Sequence, residues 1–234
     1  MQDGIHIALA PEVLTEVAGI PITNTLITSW VVMAILLLIA FLVGRKVRLI
    51  PGKLQVLFET LFGGVLNYME ETLESRSLAK KFFPLIITLF LFIFAANVLE
   101  FTPGIGSIGL LETGHSGETE FVPLLRSVNT DLNVTLALAL ISFFIIEFTG
   151  VAVIGFLKYA GKFVNFKSVL GFLIGIIGLF SEVARLISFS FRLFGNIFAG
   201  EVLILVVAFF VPVLLPVPLM MFEIFIGFMQ AAIF

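Results

Sequence analysis

The sequence predicts an all-α integral membrane protein of about five transmembrane helices, with an amphipathic interfacial helix and a long, tilted C-terminal helical hairpin. Three observations predict it. The 234 residues are 60% hydrophobic and 12% charged, with a mean hydropathy of +1.19, whereas soluble domains are roughly 25% charged. Apolar runs long enough for a ~30 Å hydrocarbon core recur along the chain. Lys and Arg gather in alternate loops, as expected of a polytopic protein.

The rest of the composition narrows the function. Phe supplies 28 residues against one Trp and two Tyr, so most aromatics suit hydrocarbon rather than an interface. The absence of Cys removes disulfides, thiolate metal sites and cysteine nucleophiles together. A net charge of -3 is too small to indicate a nucleic-acid partner. The opening MQDGIHIALAPEV lacks the basic n-region of a signal peptide and is read as part of the mature protein.

One membrane domain is expected over 1–234. Its first span is Thr25–Val43, which carries no charge and is followed at once by GRKVR. Residues 51–75 differ: Leu54, Leu57, Phe58, Leu61, Phe62, Val65, Leu66, Met69 and Leu73 recur at helical spacing, with Lys53, Glu59, Asn67, Glu70 and Glu74 between them. That is an amphipathic helix for a membrane surface or for partner helices. The second span covers 82–101 and the third 132–157. The intervening TPGIGSIGLLETGHSGETEF reads as a loop. The remainder forms two helices of a hairpin, 168–210 and 217–234, broken by Pro212, Pro216 and Pro218. The first would be about 60 Å long at 1.5 Å per residue, twice a bilayer, so it must tilt, kink or run along the membrane.

Orientation follows from the cations. Segment 44–81 holds Arg45, Lys46, Arg48, Lys53, Arg76, Lys80 and Lys81, and loop 158–167 holds Lys158, Lys162 and Lys167. The opposite side has only Arg126. The N-terminus is expected outside, and both basic loops and the C-terminus in the cytoplasm. The two halves show no internal repeat.

Polar residues inside the apolar stretches are the candidates for chemistry. On a helix over 168–210, ~100° steps from Arg192 place Arg185 at about 20°, Ser188 at about -40°, Asn196 at about 40°, Ser181 at about -20° and Glu182 at about 80°. These form one polar stripe. Glu201 falls near ~180°, on the opposite face. Gly171, Gly175 and Gly178 allow close helix approach. A mid-bilayer Arg costs about 2.5–3.5 kcal/mol on insertion scales and cannot realistically deprotonate, so Arg192 is a permanent cation. Snorkelling or satisfaction by carbonyls is the bland alternative, more so for Arg185 nearer the cytoplasmic end.

Glu223 and Gln230 lie seven residues apart on the last helix, hence on one face. Folding the hairpin pairs residues symmetrically about the turn. The pairs Arg192–Gln230 and Glu201–Glu223 are centred on Val211–Pro212, where the prolines place the turn. Arg192 should therefore face the Gln230 level, with the two carboxylates sharing a level ~13 Å away. Two carboxylates in a low-dielectric site cannot easily both ionise, which makes a proton-accepting site on the outer side. Unrelated polar residues facing a bundle interior are the alternative. Glu147 lies deep enough in its span to need a partner, whereas Glu100 lies near the outer end of its own. Asp131 and Asn133 open the third span, where an N-terminal cap and an inlet role both stay open.

These residues carry a resemblance. Ser188–Glu201, SFSFRLFGNIFAGE, with its RLFGN core, resembles subunit a of F-type ATP synthase in its bacterial and chloroplast branch. TNTLITSW at Thr23–Trp30, TDLNVTLALAL at Thr130–Leu140 and MQAAIF at Met229–Phe234 are similar as well. The resemblance covers most of the chain. It implies a non-catalytic, proton-translocating stator subunit without a cofactor, touching a rotating ring of c subunits. It further implies b-type peripheral stalk subunits, the F1 sector reached through them, and a bacterial plasma membrane. Protons would enter by an outer half-channel, neutralise the ring carboxylate and leave by an inner one. Arg192 matches the family's essential Arg, and Asn196, Glu201 and Gln230 match positions in the path. Glu223 stands where some members have His.

The chain also departs from the family. Arg185 precedes Leu186 where many members have Arg-Pro, and Gly178 stands where many have a Glu, so Glu182 as a substitute stays open. The sequence ends at Phe234, earlier than usual, which leaves the last span short. H⁺ and Na⁺ both remain open, because the partner carboxylate selects the ion. The alternative class is an ion-coupled secondary transporter, against which stand the lack of inverted repeats and of broken helices in both halves. A membrane enzyme is disfavoured: no HExxH or Ser/His/Asp set occurs, and His6 and His115 fall in outer segments.

Overall fold

The computed structural model describes residues 10–17, 19–45, 51–102, 105–106, 108–113, 119–163, 169–212 and 214–234. His6, His115, Lys46, Arg48 and Lys167 lie outside the described residues. In chain order the elements are β1 (Val13–Val17), β2 (Ile20–Thr23), α1 (Asn24–Gly44), α2 (Lys53–Leu73) and α3 (Arg76–Glu100). There follow β3 (Gly109–Thr113), β4 (Thr119–Pro123), α4 (Leu132–Ile154), α5 (Phe156–Phe163), α6 (Val169–Phe210) and α7 (Pro216–Ile233). Helices α1, α3, α4, α6 and α7 are long and apolar enough to cross a membrane, so the chain is a multi-pass, mostly helical membrane protein. Leu37, Phe148 and Phe210 are more than two-thirds exposed, as side chains bound for lipid can be.

The chain divides into two compact units, residues 1–128 with 203–234, and residues 129–202. In the first, β1 and β2 form an antiparallel ribbon that turns at Gly19, where φ is +78°. The chain passes straight from β2 into α1, whose first turn is capped by Thr23 Oγ1 accepting from the Leu26 N–H at 3.3 Å. Ser75 caps α3 in the same way, accepting from Leu78 N–H at 3.4 Å. The apolar stripe of α2 meets α3 where Phe62 and Phe83 pack edge to face, centroids 5.9 Å apart. Helix α7 packs on α3 through Phe228, which sets its ring edge-on against both Phe90 and Phe94. Pro216 begins α7, where its missing N–H costs nothing.

Two expectations are corrected here. The Gly- and Glu-rich stretch expected as a plain loop contains a second antiparallel ribbon, β3–β4, in which Leu110 pairs with Val122. Neither LLET nor TEFVP alternates apolar with polar residues, so no strand period marks them among the surrounding glycines. The expected third span to residue 157 is interrupted: α4 ends at Ile154 because Gly155 takes φ +90°, outside helical space. α5 then starts as a separate short helix.

In the second unit, α4 and α6 meet where Thr135 Oγ1 and Ser190 Oγ approach to 3.3 Å, with both residues buried. α5 lies close enough to α6 that a Cβ added at Gly175 would run into the Phe163 carbonyl. That close approach is the use made of the small-residue spacing on α6.

Candidate functional site

Burial along α6 sorts by angle. Ser190, Leu193 and Ile197 are buried and fall at about 100–160° from Arg192. Glu182 and Gly200 are buried as well, at the edge of that face near ~80°. Ser181, Arg185, Ser188, Arg192 and Asn196 are all exposed. The polar stripe thus exists, and the chain presents it at its surface rather than in its interior. The Thr135–Ser190 contact on the opposite side fixes which way the stripe faces.

Within the stripe, Arg192 Nη2 donates to Ser188 Oγ at 3.2 Å, and its guanidinium carbon lies 5.8 Å from the Phe189 ring centroid. Ser188 is one helical turn before Arg192 and Asn196 one turn after, so the cation stands between a hydroxyl and an amide on an apolar helix. Glu182 pairs with Arg185 at 2.9 Å, the carboxylate side chain 7% exposed and the guanidinium 43%. Glu201 is half-buried on the opposite side of α6.

On α7, Glu223, Gly227 and Gln230 are all buried. Glu223 Oε1 makes no hydrogen bond among the described residues. Gly227 accepts from Asn97 Nδ2 of α3 at 3.0 Å. The spacing argument brings Glu223 and Gln230 to one face, and both occupy the buried face.

The secondary candidates resolve locally. Asp131 is buried and caps α4, its Oδ1 accepting from the Asn133 N–H at 2.8 Å. The Asn133 side chain is exposed. Glu147 does have a partner: Tyr159 Oη of α5 donates to its Oε2 at 2.8 Å. Burial, then this bond and the Glu147 charge, push the Tyr159 phenol up to about 12. Glu100 accepts from Ser127 Oγ at 2.9 Å. Arg126, counted as a lone outer cation, is buried and donates Nη1 to the Ala10 carbonyl at 3.0 Å.

Several polar residues escape the sequence argument. Asn97 is buried in the middle of an apolar run, and Tyr159 is one of two tyrosines in a chain with 28 Phe. Both are detectable as exceptions to local composition. Ser190 is not, because it alternates with Ser188 and only the fold separates a buried hydroxyl from an exposed one.

Residues 26–234 match the family described as ATP synthase A chain. ATP synthase subunit a of Campylobacter jejuni is 32% identical over 200 residues, covering 86% of this chain and 80% of its own. The sodium ion specific subunit a of Propionigenium modestum is 34% identical over 229 residues, covering 96% and 74%. ATP synthase subunit a 2 of a Bradyrhizobium strain is 31% identical over 226 residues, covering 97% and 90%. The five apolar helices are therefore those of a membrane-sector subunit, and the chain belongs to the family of F-type ATP synthase subunit a.

Proposed function

We propose that this chain is the stator ion channel of a rotary ATP synthase, passing protons to and from the carboxylates of a rotating c ring through two offset half-channels. The observation that carries the reading is the exposure of Arg192 beside Ser188 and Asn196 on an apolar helix. A permanent charge on a lipid-embedded surface is costly, and a partner carboxylate offsets that cost. The face holding it has to be covered by something anionic and otherwise apolar. A ring of two-helix subunits, each with one membrane carboxyl group, meets that requirement.

The chemistry then follows from charge. A ring carboxylate arriving at Arg192 is stabilised in its ionised form by the guanidinium, and so gives up its proton before it passes. The same fixed charge opposes a proton crossing directly from one half-channel to the other. In this reading Asn196, Glu201, Glu223 and Gln230 belong to the outer path. Asp131 and Asn133 stand at the start of α4 on that outer side, where a cap and an inlet role are compatible. The subunit makes and breaks no covalent bond other than to the proton, so catalysis of ATP synthesis belongs to the attached F1 sector. The b-type stalk holds the chain against rotation. We place the complex in the bacterial plasma membrane, with the N-terminus outside and the C-terminus cytoplasmic. The sodium ion specific name of one relative is compatible with a proton path here, because the ring carboxylate site selects the ion.

The test is Arg192→Ala in the whole complex. The expected outcome is a complex that assembles with its ring and stalk but loses ATP-driven proton pumping. Near-normal pumping by the assembled variant would overturn the reading.

A further inference from the structure

Two lysines on α3 find no counter-charge in the first unit. Lys80 and Lys81 are exposed and make no ion pair among the described residues. The nearest acidic run, Glu70, Glu71 and Glu74, engages Arg76 through Glu70 at 3.4 Å and reaches neither lysine. Helical spacing explains where the lysines point. Ser77, Lys80, Lys81, Pro84 and Thr88 fall within a sector of about 100° on α3, and all five are exposed. Ala79, Ala96 and Asn97 lie on the other side of the helix and are buried. With 25 residues, α3 is ~37 Å long at 1.5 Å per residue and outruns a ~30 Å hydrocarbon core. Both lysines stand within ~8 Å of its first residue, at the depth of lipid headgroups.

The backbone at this point also offers an acceptor. Pro84, inside α3, has no N–H to give the carbonyl of Lys80 four residues earlier. Thr88 Oγ1 donates at 2.8 Å to the carbonyls of Pro84 and Leu85 instead, so it does not replace the missing donor. From Pro84 onward the same sector continues with Thr88 and Ala95. These are small side chains, and they leave a shallow strip along the helix.

We propose that Lys80, Lys81 and the Lys80 carbonyl bind the headgroup of an anionic phospholipid that carries a free hydroxyl, of the phosphatidylglycerol type. Its acyl chain lies along Pro84, Thr88 and Ala95. The two ammonium groups attract the phosphodiester, and the headgroup hydroxyl donates to the carbonyl that Pro84 leaves open. Phosphatidylcholine meets neither need: its headgroup brings its own cation and has no donor. Bound there, the lipid ties the depth of α3 to one leaflet, and Asn97 and the α7 contact move with it.

The chain has no cysteine, so Thr88→Cys can carry a bimane label in a whole complex freed of cysteine elsewhere. The complex is reconstituted in phosphatidylcholine vesicles, and lipids with brominated acyl chains are titrated in as quenchers. Brominated phosphatidylglycerol should reach half-maximal quenching at a mole fraction about fivefold or more below that of brominated phosphatidylcholine. Lys80→Gln with Lys81→Gln should bring the two curves together, and Lys80→Arg with Lys81→Arg should keep them apart. Brominated phosphatidylmethanol, which has the same charge and no headgroup hydroxyl, should fall between them. Coincident phosphatidylglycerol and phosphatidylcholine curves overturn the site, as does a preference that the Gln pair leaves unchanged. Phosphatidylmethanol quenching as well as phosphatidylglycerol overturns the role of the Lys80 carbonyl. Loss of another subunit from the purified Gln variant assigns the lysines to a protein partner, and overturns the lipid site as well.

Discussion

Asn97 and Gly227 hold α3 and α7 at a separation that leaves no room for a methyl group. Asn97 Nδ2 donates to the Gly227 carbonyl at 3.0 Å, and a Cβ built on Gly227 would lie 2.8 Å from Asn97 Cβ. Gly227 sits one turn after Glu223 and one turn before Gln230, so this contact sets the height of both on α3. Gly227→Ala must push the helices apart or break the hydrogen bond, and overpacking of this kind costs about 1–3 kcal/mol. The purified complex carrying it should denature at lower temperature than wild type, and Gly227→Ala with Asn97→Gly, which removes the clashing Cβ, should recover part of the loss. A single variant as stable as wild type would show that the pair is not a close contact.

Arg192 offers a sharper test through its chemistry than through its charge alone. Lys at this position keeps a cation but loses the planar fork that bonds Ser188 and that, in the proposed function, would also meet a ring carboxylate, and a buried ammonium can shed its proton. Arg192→Lys should assemble fully, since little volume changes, yet reduce ATP-driven proton pumping by about tenfold or more. Pumping close to wild type would mean that any positive charge suffices, and the geometric part of the argument would fall.

What the sequence carries most clearly is what periodicity and desolvation dictate. The polar stripe of α6 follows from 3.6-residue spacing, and Glu223 and Gln230 share a face for the same reason. A carboxylate as deep as Glu147 needs a partner on desolvation grounds alone. Its identity could not be read, because Tyr159 reaches it only after Gly155 breaks the helix and α5 folds back, a tertiary event with no local signature. The exposure of Arg192 was equally hidden: an angular stripe says which residues share a face, not whether that face points into the chain or out of it. Ser190 decides that question by docking on Thr135, and no spacing rule distinguishes it from Ser188. The β ribbons were missed because their strands are five residues or fewer and are bounded by glycine.

The Tyr159–Glu147 bond makes a prediction about proton binding that needs no transport assay. The phenol is raised from its ordinary 10.0 to about 12 by burial first and by Glu147 second. The folded chain therefore keeps this proton over a pH range in which the unfolded chain has lost it. The stability tied to this group is complete below pH 10.0 and is lost as pH rises toward about 12. With Tyr68, the other tyrosine, changed to Phe, ultraviolet difference absorbance of the folded protein should report a single phenol ionising near that value. Glu147→Gln should lower the midpoint without returning it fully, because burial remains. A midpoint unmoved by Glu147→Gln would mean that the hydrogen bond contributes nothing.

The register of the α6–α7 hairpin can be tested directly, and the absence of cysteine keeps the background clean. Glu201 and Glu223 are symmetric about Pro212, and the helices end and begin at Phe210 and Pro216, so the non-helical stretch is centred within one residue of that point. If the two carboxylates share a level, Glu201→Cys with Glu223→Cys should cross-link in membranes under mild oxidation, because a disulfide needs Cα atoms within about 7 Å. The control must avoid Gly227, where any Cβ meets Asn97 and would move α7 itself. Leu219, a full turn in the other direction, is half-buried and free of that conflict; Glu201→Cys with Leu219→Cys displaces one partner by ~6 Å and should cross-link far less. Preferential bonding of 201 to 219 would centre the turn on Phe210, inside α6. Arg192 would then no longer be level with Gln230, and the separation of the charge barrier from the proton-accepting carboxylates would have to be abandoned.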